Sequence, residues 1–185
     1  MAKHFPGHGG QIADSHKTLP VIRKDINHLD SIDLHPFKDY IDAGLSGIMV
    51  GHLAVPNIDS TGVPAAMSRV VIEDLLRKKM KFKGLVLTDA LNMGGASGYD
   101  SENALMAGAD IVIGPKDLRG EMGKVIKGVR NGRIPLEKIN EKCRRILFYK
   151  FLTGYRWENE KGDGALHELI RSEAREIQNR LNNSI

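Results

Sequence analysis

Three imidazoles, His4, His8 and His16, stand close along the chain with one ammonium, Lys3, and one carboxylate, Asp14. They share their stretch with Pro6, Gly7, Gly9 and Gly10, a run too rich in breakers for a helix, so the spacing predicts a long loop. Loops of this length without secondary structure of their own are usually functional or disordered, and the density of titratable groups favours function. Asp14 and His16 are two residues apart, so a carboxylate on a tight turn can accept one imidazole N–H while the other ring nitrogen faces outward. That arrangement makes a proton-transfer group. Its bland alternative is a turn pair with a purely structural role.

A second candidate is Asp89, which the short apolar run Leu85-Val86-Leu87-Thr88 delivers at its carboxyl end. A carboxylate fixed there is well placed as a nucleophile, although an aspartate capping the next turn would look the same in sequence. Asp110 is the contrast, because it enters its strand at the amino end and is assigned no chemistry. His4, His8, Asp14 and His16 are also ligand types that suit zinc, but their spacing matches no compact zinc pattern, and no metal is expected. Glu73-Asp74, the best adjacent carboxylate pair, lies inside an expected helix and is discounted.

These residues need elements to position them. Leu34, Phe37, Tyr40, Ile41 and Leu45 recur at helical spacing with Gly44 as the stop, followed by a buried strand over Gly47 to His52. The breaker-rich run Pro56 to Pro64 leaves that strand, and Ser68 can cap a helix bearing Val71, Ile72, Leu75, Leu76 and Met80. The unit repeats: the strand reaching Asp89, a loop over Asn92 to Ser97, a helix from Glu102 to Ala107, and a strand over Ile111 to Ile113. Leu118, Met122, Val125, Ile126 and Val129 then make an apolar helix face. Pro135 opens another helix, carrying Ile139, Cys143, Ile146 and Leu147 inward, so the single cysteine reads as a small core residue.

Alternating strands and helices with short connections predict an α/β fold with parallel pairing. A doubly wound sheet and a (β/α)8 barrel both fit, and both put chemistry at the carboxyl ends of the strands, where the first loop, His52 and Asp89 would lie.

The 185 residues, 41% hydrophobic and 27% charged, suit one globular domain or part of one. The net charge of +4 comes from Lys and Arg interspersed with Glu along helices, a solvated face, and 5% aromatic residues leave few stacking platforms for nucleic acid. No nucleic-acid partner or membrane insertion is expected, since no apolar run reaches spanning length. No signal peptide precedes Lys3, and a chain that opens inside a motif is expected to lack its natural amino terminus. The compartment, periplasmic or secreted versus cytoplasmic, therefore stays open.

Lys3-His4-Phe5-Pro6-Gly7-His8-Gly9, followed by Asp14-Ser15-His16 and Leu19-Pro20, resembles the signature of the family 3 glycoside hydrolases, specifically their β-N-acetylglucosaminidase branch. The likeness continues through Ile48 to His52, Pro64 to Ser68, Gly84 to Met93 and Ala107 to Asp110. It implies a TIM barrel of which only the second half is present, since three full strands and the stub Lys3-His4-Phe5 can be found. It implies retaining hydrolysis of terminal β-linked N-acetylglucosamine without a cofactor. Asp89 would be the nucleophile and His16, oriented by Asp14, the acid and then the base. Lys3, His4 and His52 would bind substrate. Residues 1–155 would be the half barrel, 156–164 a linker, and 165–185 a helix leading towards a further domain. A half barrel would expose strand edges such as Ile48 to Val50 or Ile111 to Ile113, so self-association is expected. The alternatives are a non-catalytic fragment or assembly unit, or a metal-dependent hydrolase.

Overall fold

The computed structural model describes residues 1–9 and 15–153. They fall into two compact units, Met1–Ile134 and one that begins at Pro135. The second unit contributes helix α5, Leu136–Leu152. The linker and final helix expected beyond it, and Asp14, lie outside the described residues.

The first unit is built on one four-stranded parallel sheet, with strands in sequence order: β1 Ala2–Phe5, β2 Gly47–Val50, β3 Leu85–Ala90 and β4 Ile111–Ile113. The short run Lys3-His4-Phe5, expected as a stub, is thus part of a full strand. Every residue of β2 is buried, as parallel strands covered on both faces should be. This corrects one expectation. Ile48 to Val50 lie in the interior of the sheet between β1 and β3, and the end strands are β1 and β4.

Helix α1, His35–Asp42, follows the predicted stripe, and Gly44 ends it at φ +71°. The preceding stretch read as merely polar instead contains a helical turn, Ile26–His28, capped by Asp25, and a π-helical turn, Leu29–Asp33. Leu29 and Leu34 there are fully buried. Helix α2, Val70–Lys79, is π-type along its length. Ser68 does cap it, its Oγ accepting the Val71 N–H at 3.1 Å. Helix α3, Ser101–Ala107, and helix α4, Leu118–Arg130, complete the unit.

The core is assembled from Phe5 and Val50 of the sheet with Phe37, Ile72 and Leu76 of the helices. Phe5 meets Phe37 edge-on, ring centroids 5.1 Å apart, a favoured aromatic geometry that fixes β1 against α1. Two periodicity readings fail. Leu118, Met122 and Ile126 of the α4 stripe are exposed, and Cys143 is exposed too. Spacing identifies an apolar face but says nothing about whether a partner element covers it.

Candidate active site

The carboxyl ends of β1 and β3 bring the sequence candidates together. In both strands the pairing register slips by one residue where those candidates sit. Ala2 faces Ile48 and Phe5 faces Val50, and Leu87 faces Ile111 while Ala90 faces Ile113. Lys3 and His4 occupy the first irregular stretch and Asp89 the second. An extra residue in one strand re-aims side chains and increases local twist, a device common beside active sites.

His4 Nε2 lies 3.5 Å from Asp89 Oδ2. The other carboxylate oxygen of Asp89, Oδ1, accepts the N–H of Ala90 at 2.9 Å. Burial pushes the His4 imidazole below its ordinary pKa, because an imidazolium loses its hydration there. The Asp89 carboxylate pulls it up, while Lys3, His8 and His16 add to the lowering. A cavity of ≈ 460 Å³ collects Lys3, His4, His8, Ser15, His16 and Asp89. Across it, His8 Nε2 approaches Ser15 Oγ at 3.3 Å.

His16 is held by its backbone. The Gly94 N–H donates to the His16 carbonyl at 2.9 Å, and the Gly95 N–H to the Ser15 carbonyl at 3.1 Å. Both glycines are required by this approach. A Cβ on Gly94 would stand 2.9 Å from the His16 carbonyl oxygen and closer still to that of Lys17, and a Cβ on Gly95 would stand 2.9 Å from the His52 Cβ. The turn after Asp89 therefore grips the segment that bears His16.

His52 is placed differently from expectation. It is fully buried and does not line that cavity. Its Nε2 donates to the Ala90 carbonyl at 3.2 Å, and its Nδ1 is buried with no hydrogen-bond partner. Burial lowers its pKa, against the charge of Asp89 and the pull of the nearby Ala90 and Asp89 backbone.

Sequence reading missed the grip of Gly94 and Gly95, for which the Gly-Gly pair after a strand was the available signal. It also missed a brace under the first loop. Lys24 Nζ binds both oxygens of Asp33 at 2.9 Å and the Gly9 carbonyl at 3.3 Å. Among the described residues, no group of three or more His, Cys, Asp or Glu is arranged to hold a metal ion.

Residues 1–148 match the family described as Glycosyl hydrolase family 3 N terminal domain. A β-hexosaminidase of Nitrosomonas eutropha is 39% identical over 118 residues, 61% of this chain and 33% of that protein. One of Thiobacillus denitrificans is 43% identical over 95 residues, 51% of this chain and 26% of that protein. Among solved structures, a family 3 β-N-acetylglucosaminidase from Paenibacillus sp. str. FPU-7 superposes with a TM-score of 0.79 at 29% identity, covering 92% of this chain and 36% of that one. The chain thus spans about a third of the length of these relatives.

Proposed function

Because the chain belongs to glycosyl hydrolase family 3, we propose that it supplies the second half of a (β/α)8 barrel that hydrolyses terminal β-linked N-acetylhexosaminides with retention of configuration. The observation that carries this reading is the cavity on which Asp89, His4 and His16 meet. Asp89 sits at the carboxyl end of a buried parallel strand, the end at which α/β sheets bind ligands.

In the first step a carboxylate oxygen of Asp89 attacks the anomeric carbon. The bond to the leaving oxygen breaks as that oxygen takes a proton from the His16 imidazolium, leaving a sugar ester on Asp89. In the second step water attacks the same carbon and gives its proton to the now neutral His16, and the ester bond breaks. The role of orienting the His16 ring is assigned to Asp14, which lies outside the described residues. Lys3 and His4, beside Asp89, hydrogen-bond the sugar hydroxyls. A His4 kept neutral by burial can donate from one ring nitrogen and accept at the other, which suits a hydroxyl.

Hydrolysis of an aryl β-N-acetylglucosaminide tests the proposal, using this chain alone and the same chain joined to the first barrel half of a family 3 relative. Turnover is expected in the joined form and little in the chain alone, since transition-state contacts from the other half are missing. A folded joined form without turnover contradicts it.

A second reading, an assembly unit, is favoured by the sheet itself. β1 and β4 end the sheet, and a groove of ≈ 670 Å³ carrying Ile32, Phe37 and Tyr40 runs beside β1. Unpaired strand edges recruit further strands. Self-association follows, and light scattering that shows a monomer at high concentration speaks against it.

A further inference from the structure

We propose that His52 is a positioning residue: its neutral ring, protonated at Nε2, ties the peptide after Asp89 to the glycine turn that holds the His16 segment, and so sets the separation of the two reacting groups. This rests on the roles proposed for Asp89 and His16. Two contacts and the burial of the ring carry it. A ring nitrogen 3.2 Å from the Ala90 carbonyl must bear the proton, because a carbonyl oxygen only accepts. That assigns the tautomer and leaves Nδ1, buried and without a partner, as a bare acceptor.

The second contact is the stem. The His52 Cβ lies 2.9 Å from where a Gly95 Cβ would be, so the side chain closes directly on the turn whose N–H groups hold Ser15 and His16. Burial is the third support. With no exposure, the ring cannot trade its Ala90 bond for water, and losing it would leave a buried carbonyl unsatisfied. The titratable groups acting on the ring are Asp89 and His4. A buried imidazole nitrogen without a protein partner is a costly feature, and here it accompanies a donor placed one peptide from Asp89.

The test is made on this chain in solution by imidazole nitrogen NMR, with no turnover required. In the wild type at neutral pH the His52 Nε2 should give a protonated signal and Nδ1 an unprotonated one. The opposite tautomer, or a doubly protonated ring at neutral pH, overturns the proposal. His52→Leu should shift the Asp89 carboxyl carbon and the Gly95 amide, and His52→Gln, which keeps an N–H donor at similar reach, should restore both. Signals left in place by His52→Leu also overturn it. If the leucine variant does not fold, the tautomer measurement on the wild type decides alone. In a form that turns over, His52→Leu should lower kcat by about 100-fold with KM little changed, the signature of a misplaced reacting group. The predicted shifts without any glycoside cleavage would refute the glycosidase reading and leave the positioning role standing.

Discussion

Two aspartates at opposite ends of the same sheet have been given opposite environments. At the amino end, Asp110 has a fully buried side chain whose Oδ2 accepts the Val86 N–H at 2.8 Å and Arg77 Nη2 at 2.7 Å. Arg77 also donates to the Gly84 and Phe82 carbonyls and lies over the Phe82 ring. At the carboxyl end, Asp89 keeps 17% of its side chain exposed and turns Oδ2 towards His4 and the cavity. One carboxylate is consumed in joining elements, while the other is held in place and left available. Residue type is the same in both, so position relative to strand direction decides the use.

The largest effects should come from removing each aspartate in turn. Asp89→Ala is expected to abolish turnover in a form that cleaves substrate, with little change in Tm. Asp110→Ala should cost about 3–5 kcal/mol of stability, because it removes the carboxylate partner of the largely buried Arg77 guanidinium and the acceptor of the Val86 N–H. Denaturant unfolding together with hydrolysis assays checks both. The contrast collapses if Asp89→Ala destabilises as much as Asp110→Ala.

A smaller effect sharpens the carboxyl-end half of the contrast. Gly94→Ala forces a methyl group against the Lys17 and His16 carbonyls, and should lower turnover by about 100-fold through displacement of the His16 segment. Gly123→Ala is the control. It lies within α4 with open space around it and should raise stability by about 0.4–1 kcal/mol without touching activity. Equal losses of turnover in both would place the effect of Gly94 outside the site.

The smallest effect is one of pH. Burial lowers the folded-state pKa of both His4 and His52 below 6.5, so below that value the unfolded chain binds more protons than the folded one. Stability should therefore rise with pH up to about 6.5 and level off, and fall progressively on acidification towards the folded pKa values. Tm measured across this window should show a shallower acid slope in His52→Gln than in the wild type.

The repeat of strands and helices was legible because buried parallel strands are short apolar runs between turn residues, and Ile48, Val86 and Val112 mark three of them. β1 was half hidden, since Lys3 and His4 interrupt its apolar character in order to face the cavity. Asp89 and Asp110 were separable by order alone, one following its strand and the other preceding it. The role of His52 was not legible, because a histidine after a strand reads alike whether its ring points to solvent or is buried against a neighbouring backbone. Nor was the brace of Lys24 and Asp33, nine residues apart, since an ion pair between a loop and a helical turn leaves no periodic trace. The exposure of Leu118, Met122 and Cys143 depends on which elements cover a face, and that is a tertiary property.

The most direct test of the proposed chemistry at the carboxyl-end rim is His16→Ala with an activated aryl β-N-acetylglucosaminide, in a form that turns over. Such a leaving group departs without acid help, so attack by Asp89 stays comparatively fast, while breakdown of the ester loses its base and slows by about 10²–10⁴-fold. The expected result is a burst of aryl alcohol followed by slow turnover, with the sugar mass on the peptide that contains Asp89. Wild-type rates on unactivated substrates, or the sugar on another carboxylate such as Asp59, would contradict it.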